Sequence, residues 1–157
     1  MANLTRVSLT VATFLLVTCL VKLANAAEPP ADLCSLLPVA VMSKTIGHPY
    51  DSPLKTVAPR PYKNTAEGTD CTYQSKSGNL LFRAYVDSSP AEATELFARL
   101  KSFFGRGSTS VAGLGDEAYS DASHGLHVRK GKVRFFLSGS ATDKQLNDLA
   151  TGVVGRL

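Results

Sequence analysis

Ser77-Gly78-Asn79-Leu80-Leu81-Phe82-Arg83-Ala84-Tyr85-Val86 and Lys130-Gly131-Lys132-Val133-Arg134-Phe135-Phe136-Leu137-Ser138 follow one pattern. In each, a glycine turn opens a run in which every second residue is apolar: Leu80, Phe82 and Ala84 in the first, Val133, Phe135 and Leu137 in the second. A period of two places each trio on one face of a strand. Gly78 and Gly131 are 53 positions apart, and the same offset carries Leu80 to Val133, Phe82 to Phe135 and Ala84 to Leu137. Cys71 to Ser75 and Leu126 to Arg129 precede the two turns, so each unit begins as a hairpin.

The same offset continues downstream. Ser89 and Thr142 stand 53 positions apart, each a hydroxyl N-cap with an acid or amide three residues on, Glu92 and Gln145. The helix they open spans 89–104 in one unit and 142–157 in the other. Its apolar stripe is Ala93, Leu96, Phe97, Leu100 and Phe104 in the first, and Leu146, Leu149, Ala150, Val153, Val154 and Leu157 in the second. One-sided helices need a sheet to cover, so the expected fold is α+β. It is a mainly antiparallel sheet with helices packed on it, built as a ββα pseudo-repeat, both repeat helices covering the Leu80–Phe135 face.

Upstream, Asp32 to Ile46 reads as a helix restarted at Pro38 and stopped by Gly47. The stretch 48–68 carries Pro49, Pro53, Pro59 and Pro61, and is expected to be loop with one edge strand near 56–58. A short strand is expected at Glu117 to Ser120.

The first 26 residues read as an export signal: Arg6, an apolar run from Val7 to Val21, and the small-x-small site Ala24-Asn25-Ala26. The run is about fifteen residues, against the roughly twenty that a bilayer span needs. Cleavage leaves residues 27–157 as a single exported domain, periplasmic or secreted. With Arg6 and Lys22 removed, 15 basic residues face 13 acidic ones, a balance too mild to point to nucleic acid. Leu16-Val17-Thr18-Cys19 weakly matches a lipobox, and a lipid on Cys19 is the only route to membrane contact. Of the three cysteines, Cys34 and Cys71 remain after cleavage. In an oxidising compartment an even pair reads as one disulfide, the alternative being two buried thiols.

Chemistry is harder to find. Gly113-Leu114-Gly115-Asp116-Glu117-Ala118 has the spacing of a dinucleotide fingerprint, but no helical stripe follows it, so it reads as a turn entering a strand. His124 and His127, with Asp116, Glu117 and Asp121 nearby, have the residue types of a metal site. Their odd spacing on a strand sends the two imidazoles to opposite faces, and neither a metal nor a cofactor is expected. No G-x-S-x-G elbow is present. One constellation stands out. If Leu80, Phe82, Val133 and Phe135 face the helices, the other face carries Arg83, Tyr85, His127, Arg129, Arg134 and Phe136. Cations interleaved with aromatics suit anionic or sugar-bearing ligands, and Arg83, Tyr85, Arg129 and Arg134 are the candidate ligand-binding residues of a solvent-facing sheet surface.

Several segments in order carry a resemblance: Cys34-Ser35-Leu36-Leu37, Asp70-Cys71-Thr72-Tyr73, Val111 through Gly113-Leu114-Gly115-Asp116-Glu117-Ala118-Tyr119, Val128-Arg129-Lys130-Gly131, and a last helix ending in Arg156-Leu157. The chain resembles small exported bacterial proteins of uncharacterised function, often lipoproteins. It departs from them at Thr18 of the lipobox and at Pro38. The resemblance implies a compact α+β domain and a Cys34–Cys71 bond, and carries no site residues. The functional expectation is an exported, non-enzymatic binding or accessory domain of the cell envelope, acting on an envelope component or protein partner. The alternative is a hydrolase of cell-wall or secreted substrates.

Overall fold

The computed structural model describes residues 28–104 and 106–157. The export signal, its cleavage site after Ala26 and the lipidation candidate Cys19 lie outside the described residues. Seven strands form one open antiparallel sheet: β1 (Leu54–Ala58), β2 (Gly68–Ser75), β3 (Gly78–Val86), β4 (Thr109–Ser110), β5 (Glu117–Ser120), β6 (Leu126–Lys130) and β7 (Val133–Gly139). Their order is β1-β2-β3-β7-β6-β5-β4. Three α-helices pack against the sheet: α1 (Val39–Ile46), α2 (Pro90–Phe104) and α3 (Asp143–Val154), with a short 3-10 helix at Leu33–Leu36. The fold is α+β.

The expected strands at 71–75, 79–86, 117–120, 126–129 and 132–138 all form, and β1 spans Leu54–Ala58 where an edge strand was expected at 56–58. Pro38 separates the 3-10 helix from α1 and serves as its N-cap, and Gly47 ends α1 in the left-handed region at φ 93°. The cap of α3 is a complete capping box. Thr142 accepts from the Gln145 backbone, and the Gln145 side chain accepts from the Thr142 backbone. At α2 only half of that arrangement forms: Ser89 Oγ accepts from the Glu92 N–H, while the Glu92 carboxylate turns to Ser88.

The two halves of the sheet meet at the β3–β7 pair. There Arg83 faces Phe136, the residue 53 positions on, so a local two-fold axis normal to the sheet passes between them. On either side of this axis lie β2 and β6, then β1 and β5. The helices break the symmetry. Leu146, Leu149, Ala150 and Val153 of α3 pack with Leu80, Phe82, Ala84, Phe135 and Leu137, as expected. The place that symmetry would give α2 on that face is taken by the N-terminal segment. Leu36, Leu37 and Met42 are buried in the same core, α1 packs beside α3, and a Cys34–Cys71 disulfide fastens the segment to β2. Tyr73 adds a buried tie, its hydroxyl donating to the Leu37 carbonyl at 2.6 Å.

The expectation that α2 shares the core face with α3 is therefore corrected. Ala93, Leu96 and Phe97 of α2 are buried on the reverse face, where the Phe97 ring meets Tyr119 edge to face at 5.2 Å. A one-sided apolar stripe requires a sheet to cover and does not specify which face. With the first face occupied, α2 crosses to the second. Leu100 is half-buried and Phe104 exposed, so the lower end of its stripe reaches past the packed region.

Candidate functional site

Strand alternation puts Arg83, Tyr85, His127, Arg129, Arg134 and Phe136 on the reverse face, as the period-two reading requires. The face is not a solvent-facing surface, and this corrects the second part of that expectation. α2 lies over the β5–β6–β7 side of it. Each candidate cation is also already paired. Arg134 is buried against Asp87, at 2.5 and 2.8 Å, with its guanidinium over the Tyr85 ring. Arg129 bonds Asp116, which also accepts from Lys130 and from the Gly131 backbone. Arg83 makes a bidentate pair with Asp70 at 2.6 and 2.7 Å. Of the four candidate ligand-binding residues, Arg83 and Tyr85 come together in one cleft. Arg129 and Arg134 serve ion pairs outside it.

The cleft has a volume of about 430 Å³, within the range of small-molecule sites. Its floor is the sheet, through Arg83, Tyr85, His127 and Phe136. One wall is the end of α2, with Leu100, Phe103 and Phe104. The other is the proline-rich strap 59–62 that links β1 to β2, held down by the Tyr85 hydroxyl donating to the Pro59 carbonyl at 2.9 Å and by Arg99 of α2 lying 4.3 Å over the Tyr62 ring. Gly68 is required beneath this strap, because a Cβ there would come within 2.5 Å of the Tyr85 ring.

At the inner end sits an Asp121–His127 pair, with the side chains 13% and 12% exposed. Asp121 lies in the β5–β6 turn. One of its oxygens accepts from the Ser123 and Gly125 backbone N–H groups, and the other lies 2.9 Å from His127 Nε2. Gly125 makes this possible: a Cβ there would stand 2.4 Å from the Phe136 ring and 2.7 Å from the Asp121 carboxylate. Burial pushes Asp121 up, but the bonds from His127 and the two backbone groups outweigh it and hold the carboxyl below its ordinary range. Burial pushes His127 down, against the pull of Asp121. At neutral pH the pair is thus a carboxylate accepting from a neutral imidazole, whose Nε2 carries the proton. The imidazole is clamped by rings, stacked on Tyr119 at 4.5 Å and flanked by Phe136 and Phe104.

The sequence reading misses the wall residues Leu100, Phe103, Phe104 and 59–62; it places His127 on this face and considers Asp121 only as a metal ligand, without pairing the two. A signal for the pair was present: an aspartate and a glycine bracketing the turn, with a histidine two residues into the next strand. His124 leaves this group, pointing instead to Asp143 at 3.2 Å from a backbone φ of 61°. Among the described residues no cluster of three metal-ligating side chains occurs. The dinucleotide-like segment 113–118 forms a turn into β5, and a Cβ at Gly115 would stand 2.5 Å from the Arg129 carbonyl. No protein-family model and no curated protein matches this chain.

Proposed function

We propose that the chain is an exported domain of the cell envelope that works by binding, and that its ligand occupies the cleft between α2 and the 59–62 strap. The observation that carries this reading is the incomplete cover of the reverse face. α2 and the strap leave a ring-lined opening of about 430 Å³ in which polar groups are held in fixed positions. Export is supported by the signal-like leader and by the Cys34–Cys71 disulfide, which persists in oxidising compartments. The hydrolase alternative has one observation in its favour, the imidazole of His127 oriented by Asp121. Against it, the described residues lining the cleft include no serine, threonine or cysteine to act as nucleophile beside that imidazole.

The binding reading is tested with the neutral fluorophore N-phenyl-1-naphthylamine. A saturable one-to-one fluorescence rise is expected with the wild type and not with Leu100→Arg, which projects a charged chain into the cleft, both proteins melting cooperatively. Saturable binding indifferent to Leu100→Arg overturns the reading. Intact mass of the exported protein tests the leader: a chain beginning at Ala27 is expected, and a lipid-modified species beginning at Cys19 overturns soluble export.

A further inference from the structure

Resting on the cleft as a binding site, we infer that its ligand is an uncharged saccharide rather than the anionic component that the cation-rich strand pattern predicts. The argument begins with charge. The two arginines of the cleft each have a carboxylate: Arg83 is bound by Asp70 through two bonds, and Arg60 by Glu67 at 3.0 Å. Asp121 adds a further negative charge beside a neutral His127. An anionic ligand would find the charge of both arginines already met by a carboxylate and would lie against the Asp121 charge. The positive potential apparent in the sequence is cancelled by the tertiary structure.

What remains is a surface of rings and fixed polar groups. Phe103 is 80% exposed, Phe104 meets it edge to face at 5.0 Å, and Tyr62 and Phe136 line the same opening. Sugar rings offer flat C–H faces that pack on such side chains, together with hydroxyls around the rim that both donate and accept. The Arg83 fork, the Asp121 carboxylate and the His127 ring supply donors and acceptors in planar arrays. Each is oriented by partners before any ligand arrives, so little side-chain freedom is lost on binding. A fatty acyl chain would strip water from these charged pairs and return no hydrogen bond to them. A saccharide offers hydroxyls in place of that water, and the opening of about 430 Å³ is of small-molecule size.

The experiment titrates 15N-labelled protein, residues 27–157, with three neutral tetrasaccharides (chitotetraose, cellotetraose, maltotetraose) and with a hyaluronan tetrasaccharide that shares N-acetylglucosamine but carries carboxylates. At least one neutral sugar is expected to shift resonances of 59–62, 83–85 and 100–104, with hyaluronan at least tenfold weaker. Phe103→Ala, at an exposed position that leaves the fold intact, should weaken that binding roughly three- to tenfold. Val57→Ala, on the exposed edge strand away from the cleft, should not. Hyaluronan binding as tightly as the neutral sugars, or shifts lying outside the cleft, overturns the inference. If N-phenyl-1-naphthylamine binds the cleft and no tetrasaccharide does, the saccharide assignment fails while the binding reading stands. If neither binds, both fail.

Discussion

Arg134 and Asp87 form a bidentate ion pair beneath the reverse face of the sheet, with side chains only 3% and 1% exposed. They are 47 residues apart in sequence, one in β7 and the other just after β3, so the pair joins the end of the first ββ unit to the second. Its position explains why a run reading Arg134-Phe135-Phe136 can lie inside a core: the charge is met where it is buried, and the guanidinium also covers the Tyr85 ring.

Removing one partner is therefore expected to be costly. Asp87→Asn should destabilise the domain by about 3–5 kcal/mol in urea unfolding, because it leaves a buried guanidinium without its counter-charge. The paired change Asp87→Leu with Arg134→Met should recover most of that loss. A cost below about 1 kcal/mol for Asp87→Asn would show that the pair is not buried as described.

The Cys34–Cys71 bond closes a loop of 37 positions and holds the N-terminal segment on the core face. On the chain-entropy account its removal by Cys34→Ala with Cys71→Ala should cost about 4 kcal/mol. Because that segment occupies the place symmetry would give α2, loosening it should also raise amide exchange in α1 ahead of α2. Equal melting temperatures for the oxidised and reduced proteins would contradict this.

Acidification should destabilise the domain in two stages. The folded-state value of His127 is depressed, so as pH falls past about 6.5 the unfolded chain takes up a proton that the folded chain still refuses, and stability falls with it. Asp121 is also depressed, so its contribution is intact above about pH 4 and is lost as pH falls through its folded value. The melting temperature should be flat from pH 8 to 7, decline below 6.5 and decline again below 4. His127→Gln should remove the first decline and leave the second. A melting temperature that rises between pH 7 and pH 5 would reverse the assignment.

The alternation of Leu80, Phe82 and Ala84 and of Val133, Phe135 and Leu137 made the central strands legible, since strand periodicity is a local property of the chain. Pro38, Gly47 and the Thr142–Gln145 box marked helix ends for the same reason. The cleft was only half legible. Arg83, Tyr85, His127 and Phe136 were placed on one face by their spacing, but Phe103, Phe104 and Tyr62 come from elements whose docking is decided elsewhere. The pairing of Arg83, Arg129 and Arg134 with Asp70, Asp116 and Asp87 spans 13, 13 and 47 positions and depends on strand register.

The strands, the turns, the one-sided helices and the division of side chains between two sheet faces can be read along the chain, because each follows from interactions a few residues apart. The face that α2 covers depends instead on long-range packing. The stripe of α2 specifies no face, and the first face is filled beside α3 by the N-terminal segment, which Cys34 and Cys71 fasten to β2. The placement of α2 gives the reverse face its cleft, and strand register balances the charge of its arginines through Asp70, Asp87 and Asp116.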